Sequence, residues 1–158
     1  MRNTTLCYLE KDNKYLMLLR NKKKNDLNEG KWIGIGGGFE QGESPEECAK
    51  REIFEETGLD ATELNLRGII TFDNDIQETE YMFLFTSKCF SGTLTDECNE
   101  GELAWINKYD ILSLNLWEGD KYFLELLTTD EPFFSMKLSY SKDKLVSVWK
   151  NGLPIKLR

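Results

Sequence analysis

The stretch Gly36–Leu59, GGGFEQGESPEECAKREIFEETGL, decides how this chain is read. It predicts a helix over 45–57 with both ends marked. Ser44 stands at the N-cap, Pro45 at the first helical position, and Glu47 completes an S-x-x-E capping box. Gly58 supplies the left-handed residue that ends such a helix. Between these signals lie Glu52, Glu55 and Glu56. At about 100° per residue, Glu55 falls to one side of Glu52 and Glu56 to the other, so the three carboxylates share one face roughly 100° wide. Ala49 and Ile53 fall on the adjoining stripe that would seat the helix on a sheet.

Like charges at helical i, i+3 and i+4 spacing repel by a few tenths of a kcal/mol per pair. A helix built for stability alone would intersperse lysines. Three carboxylates on one face suit a hard divalent cation, and magnesium takes oxygen ligands while sharing its shell with phosphates. An acid-rich, solvated helix is the plainer alternative. Arg51 reaches Glu55 at i, i+4 and is placed to steer it. Ahead of the helix, a short strand runs into Gly36-Gly37-Gly38, and a glycine-rich loop before a helix brings backbone groups close to a polyanion or a metal.

Gly37, five residues, Glu43, seven residues and then Arg51-Glu52-Ile53-Phe54-Glu55-Glu56-Thr57-Gly58-Leu59 match the Nudix box at every defined position, and the chain resembles the Nudix hydrolases. The resemblance implies an α/β (α+β) fold, an α/β/α sandwich round a central mixed β-sheet. It implies hydrolysis of a nucleoside diphosphate linked to another moiety, with Mg2+ or sometimes Mn2+. It also implies that Glu52, Glu55 and Glu56 bind the metal, helped by the backbone carbonyl of Gly36. Phosphoanhydride hydrolysis needs charge stabilisation on the phosphates and a base for water. Glu55, Glu56 and Glu100 all stand as candidates for that base, with Arg51 beside them.

Outward from the box, period and punctuation predict further elements. Strands fall at 4–9 and 15–19, joined by a turn at Asp12-Asn13, and a polar, basic loop follows over 21–30. A short strand covers 31–35. Further strands are expected at 64–72, 80–86 and 102–106, and a second helix at 120–128. Strands at 133–140 and 145–150 form a hairpin turning near Lys142-Asp143. Strands interleaved with two helices suggest one mixed sheet with a helix on each side, a single domain over 1–158.

The rest of the chain resembles the MutT-type branch that hydrolyses oxidised purine nucleoside triphosphates such as 8-oxo-dGTP. Gly30-Lys31-Trp32-Ile33-Gly34-Ile35-Gly36-Gly37 matches that branch's approach to the box. The likeness implies that Glu100, five residues before Trp105, is a further metal-binding or base glutamate, though Glu97 and Glu102 are close neighbours. It implies that Trp117 stacks on the base and Asp120 reads its edge; plain core packing of the tryptophan is the alternative. Thr5 matches a threonine near the base and Lys23 a lysine near the nucleotide. Three positions depart from the branch. Ile33 replaces an asparagine, Gly119 replaces one member of an acidic pair, and Gly38 replaces a lysine. The first two remove polar contacts worth on the order of 1 kcal/mol each, so selectivity for oxidised guanine is the property they place in question.

Composition agrees with a small globular enzyme. The chain has 158 residues, 40% apolar and 30% charged. It has 28 acids against 20 bases, a net charge of −8, which disfavours a nucleic-acid polymer or an anionic membrane as partner. Seven acids and two bases lie between Glu40 and Glu56, so −5 of that charge is local. Histidine is absent, which excludes Ser-His-Asp and Cys-His catalysis. The four cysteines form no C-x-x-C pair, and the N-terminal residues resemble no targeting signal or membrane span, so a cytoplasmic monomer or weak homodimer is expected. Two rivals stay open: a Nudix pyrophosphatase for a dinucleotide, ADP-ribose or nucleotide sugar, and a non-catalytic Nudix ligand sensor. ADP-ribose enzymes are expected to carry additional N-terminal sequence, and sensors to lose box glutamates.

Overall fold

The computed structural model describes all residues from Met1 to Arg158. Its centre is β1 (Arg2–Lys11), whose side chains are buried on both faces from Thr4 to Leu9. Leu6 and Tyr8 enter one core with Phe123, Leu124 and Leu127 of α2 (Asp120–Leu127). Cys7 and Leu9 enter another core with Ala49 and Ile53 of α1 (Pro45–Thr57). The sheet therefore carries one helix on each face. Each fully buried aliphatic side chain of this kind contributes about 1.5–3 kcal/mol.

The other strands of this sheet are β2 (Lys14–Arg20), β3 (Trp32–Ile33), β5 (Asn65–Asp73), β6 (Glu80–Ser87), β8 (Gly101–Asn107), β9 (Phe134–Ser141), β10 (Lys144–Lys150) and β11 (Leu153–Ile155). They run in the order β11-β10-β9-β5-β6-β1-β2-β3, with β8 on the other edge of β2. The pairs β1–β6 and β5–β9 are parallel and the others antiparallel, so the sheet is mixed. No helix is long and apolar enough to cross a membrane.

Strands β1 and β2 pair only beside their turn, at Glu10–Tyr15 and Lys11–Lys14. They then splay apart. The segment that runs from β3 into the glycines fills the wedge, pairing first with β2 through Ile33 and Trp32 and then with β1 through Ile35 and Gly38. The strand expected over 31–35 is consequently shorter, Trp32–Ile33, because the segment changes partner strands at Gly34. Its backbone is bonded all the same: Cys7 N–H donates to the Ile35 carbonyl at 2.6 Å and Thr5 N–H to the Gly37 carbonyl at 2.9 Å.

The first helix has its expected bounds. Glu47 N–H donates to Ser44 Oγ at 3.0 Å, and Ser44 N–H donates to Glu47 Oε1 at 2.9 Å. Gly58 ends the helix at φ +78°. The C-terminal hairpin turns at Lys142, φ +58°. Its first strand begins at Phe134, because Phe133 is exposed. Two small features were not anticipated: β11 on the sheet edge, and a pair made by β4 (Leu59–Ala61) and β7 (Phe90–Gly92) beside the end of α1. Three residues per strand leave no readable period.

Candidate active site

Gly36 and Gly37 lie where the wedge segment passes over β1 and α1. A Cβ at Gly36 would fall 1.8 Å from the Thr5 carbonyl oxygen, and one at Gly37 would fall 2.6 Å from the Glu52 carboxylate. Gly36 therefore excludes a side chain, whereas a side chain at Gly37 would push the Glu52 carboxylate aside. A Cβ at Gly38 would meet nothing within 4 Å, so the branch lysine is replaced there without steric cause.

Arg51 organises the acids of α1. Its Nε and Nη2 grip Glu43 at 2.7 and 2.9 Å, and its Nη1 donates to Glu52 at 2.7 Å and to Glu55 at 3.2 Å. Nη2 also donates to the Gly38 carbonyl at 3.0 Å. This clamp holds the Glu43 carboxyl down at about 2. Burial, in contrast, raises Glu52. The sequence pointed to the Arg51–Glu55 spacing alone; the bidentate grip on Glu43 comes from the loop folding back onto the helix.

The three glutamates on the common face do not behave alike. Glu55 is more than half exposed and does not line the adjoining cleft. Glu52 lines that cleft. Glu56 is buried, and its Oε2 accepts from Gly36 N–H at 3.1 Å. Burial and the facing Glu100 carboxylate push Glu56 far above the ordinary carboxylate range, while Glu100 is lowered by sharing the Glu56 proton and by Lys23 and Arg20. Lys23 Nζ donates to Glu100 Oε1 at 3.1 Å and Arg20 Nη1 to Glu100 Oε2 at 3.4 Å. Glu100 thus comes from just before β8 to join α1, whereas neither Glu97 nor Glu102 lines the cleft.

The donors here fit a hard cation. Glu52, Glu56 and Glu100 are oxygen ligands, and two of them face each other across a shared proton that a cation would displace. Ile35, Gly37 and Gly38 carbonyls each accept a hydrogen bond, whereas the Gly36 carbonyl accepts none from the backbone. Arg51 holds Glu52 and the Gly36 amide holds Glu56, and no three of the acids already converge at metal-binding spacing.

From Glu52 and Glu100 a cleft of about 570 Å³ runs along the glycines to Trp117 and Asp120, with Glu56 behind its wall and not part of the lining. Lys23, Ile33, Gly36, Gly37 and Gly38 line it. Trp117 belongs to the core on the α2 side. It is 5% exposed, packs edge-on against Phe72 and Tyr140, and still forms cleft wall. Its indole N–H donates to Asn28 Oδ1 at 2.8 Å, and Lys31 Nζ lies 4.9 Å from its ring centre. Asp120 is buried; desolvation lifts its carboxyl to about 7 against the pull of Lys31. Thr5 lines the cleft, but its hydroxyl faces Cys48 Sγ at 3.6 Å on the α1 side.

The departure at Gly119 has a packing cause. A Cβ there would lie 2.7 Å from both Tyr140 Oη and Leu138 Cδ1, and Gly119 N–H donates to that same Tyr140 hydroxyl at 2.7 Å. Asn28, Thr4 and Glu80 line the cleft and were not singled out from the sequence. Each lies in a loop or at a strand end where spacing carries no signal.

A NUDIX domain profile matches residues 1–127. An uncharacterized Nudix hydrolase, YvcI, of Bacillus subtilis is 30% identical over 147 residues, covering 90% of this chain and 89% of that protein. A mouse oxidized purine nucleoside triphosphate hydrolase is 32% identical over 132 residues, covering 82% and 83%. Among solved structures, a MutT protein from Bacillus halodurans superposes with a TM-score of 0.87 at 26% identity, covering 98% of this chain and all of the other.

Proposed function

We propose, from the premise that this chain belongs to the NUDIX domain family and is a Nudix hydrolase, that it cleaves purine nucleoside triphosphates, oxidised ones among them, to monophosphate and pyrophosphate with Mg2+ or Mn2+. One observation carries the reading: a single cleft joins Glu52 and Glu100 to Trp117 and Asp120. In this reading a polyphosphate would run over the glycines while a base would lie against the tryptophan. The mouse relative's name supports the same substrate class.

Glu52, Glu56, Glu100 and the Gly36 carbonyl are the groups that would hold the cation. When bound there it would offset charge on the phosphate oxygens and acidify a water. The chain's own part is positional and protonic. Arg51 fixes Glu52, while Lys23 and Arg20 fix Glu100 and place positive charge on the phosphate side of the cleft. Glu56 and Glu100 are the candidate bases for the attacking water, and only a deprotonated carboxylate of the pair can accept its proton. Trp117, held by Asn28, offers its face to the purine, and Asp120 offers a carboxyl near its own titration point to the base edge.

The test is product analysis over 8-oxo-dGTP, dGTP, ATP, ADP-ribose and a dinucleoside polyphosphate with Mg2+. Monophosphate and pyrophosphate from the purine triphosphates are expected. Turnover of ADP-ribose without triphosphate hydrolysis would overturn the reading.

A further inference from the structure

The base end of the cleft has lost two polar positions, at Ile33 and Gly119, yet its far wall carries an acid. On β5, β6 and β1 the residues Phe72, Glu80 and Arg2 are direct register partners, followed one step along by Ile70, Met82 and Thr4. Register partners share a sheet face. Phe72 belongs to the α2-side core and meets Trp117 at 5.4 Å, so Glu80 stands on the face that carries the tryptophan. Arg2, Thr4, Phe72, Glu80 and Met82 all line the same cleft as Trp117 and Asp120.

Glu80 is held in place. Thr4 Oγ1 donates to Glu80 Oε2 at 2.7 Å, and Arg2 Nη1 lies 3.7 Å from Glu80 Oε1. The Glu80 side chain is 14% exposed, against 50% for Arg2. The Arg2 contact is too long for a hydrogen bond, so Oε1 keeps free acceptor capacity. Thr4, whose hydroxyl hydrogen is engaged by Glu80, presents only lone pairs. This wall of the pocket therefore offers acceptors.

Resting on the proposed function above, we propose that Glu80, oriented by Thr4, is a specificity-determining residue. Its carboxylate accepts an N–H or O–H donor of the bound nucleoside, either the exocyclic 2-amine of a guanine-type purine or the sugar 2′-hydroxyl. It supplies from β6 the polar reading that Ile33 and Gly119 no longer provide. A hydrogen bond to a charged acceptor discriminates by about tenfold to a hundredfold.

The experiment measures kcat and KM for GTP, dGTP and ITP with Mg2+ on the full chain and on Glu80→Met. If the amine is read, Glu80→Met loses tenfold or more in kcat/KM on GTP and dGTP, mainly through KM, and little on ITP, which lacks the amine. If the 2′-hydroxyl is read, GTP and ITP suffer and dGTP does not. Equal losses on all three, or none, would overturn the assignment. Thermal unfolding of the variant is followed in parallel. Should Glu80→Met fail to fold, Thr4→Val keeps the carboxylate and removes its anchor; a several-fold KM rise confined to the same substrates is expected, and unchanged KM ratios would overturn the proposal. Wild-type protein that hydrolyses no triphosphate would sink the underlying function instead.

Discussion

Replacing Glu56 by Gln is expected to stabilise the metal-free protein while removing most of its turnover. Glu56 is 7% exposed and holds its proton in the fold well above neutrality, because of burial and the facing Glu100. In the unfolded chain the same carboxyl titrates at its ordinary value of 4.5. Between that value and the folded one the unfolded state has lost a proton that the native state keeps, so stability falls as pH rises. At pH 7 the penalty depends only on the distance from 4.5 and reaches about 3 kcal/mol, at about 1.36 kcal/mol per unit. At pH 5, close to the unfolded value, it shrinks to below about 1 kcal/mol. Glutamine removes the titration, keeps an oxygen for the Gly36 N–H and keeps a donor for Glu100. A gain of about 1–3 kcal/mol at pH 7 is expected, or roughly 3–10 °C in Tm for a chain of this size. Urea and thermal unfolding of both proteins in a chelator, at pH 5 and pH 7, measure it. A variant less stable than wild type at pH 7, or a gap that does not close on acidification, would refute the linkage. Unchanged turnover with Mg2+ would refute the assignment of Glu56 to the metal side.

Arg51→Gln releases Glu43 and Glu52 together, and a rise of about tenfold in the Mg2+ needed for half-maximal turnover is expected, as for loss of a group that orients metal ligands. The same variant should lose the acid dependence of Glu43, whose stabilisation is complete above pH 4.5 and fades as pH falls towards 2; urea titrations from pH 3 to 6 report it. Gly37→Ala forces a methyl to within 2.6 Å of the Glu52 carboxylate, so Mg2+ titration of turnover should show weakened metal use with near-normal circular dichroism. With Asp120 titrating at about 7, neutral below and charged above, KM for a purine triphosphate should change between pH 6 and 8. In Asp120→Asn that inflection should vanish, and its persistence would count against Asp120 as the base reader. Gly119→Asp, which restores the branch's acidic pair, should destabilise by about 1–3 kcal/mol through overpacking against Tyr140 and Leu138, read by urea unfolding.

Local signals made much of this legible. The helix over 45–57 announced itself because its cap, its proline and its closing glycine act within a few residues of chain, and each is found in place. Strands with long apolar runs, such as β1 and β6, were equally visible. The mixed sheet with a helix on each side followed from their order. What stayed hidden depends on contacts between distant residues. The splaying of β1 from β2 is decided where Ile35 meets Cys7, and no period in either segment encodes it. The base end of the cleft was read through resemblance, which pointed to Thr5. The structure turns the Thr5 hydroxyl towards Cys48 and gives the cleft-side bond to Thr4. Strand parity decides between neighbours, and the register of β1 against β6 sets that parity. The divergence among Glu52, Glu55 and Glu56 was invisible for a similar reason: helical geometry gives direction, but Arg51 and the Gly36 amide choose which acid turns inward.

The wedge of Trp32–Gly38 between the splayed strands also governs how the cleft responds to substrate. Its floor is stitched to β1 by the Cys7, Ile35 and Thr5 amides, so moving it means unzipping a sheet rather than swinging a loop. Rearrangements of that kind draw on global unfolding, on the slow side of native-state opening. Polyphosphate therefore meets a fixed track. Any adjustment on binding falls to what borders it: the lysines of the 21–30 loop and the carboxylates that Arg51 clamps.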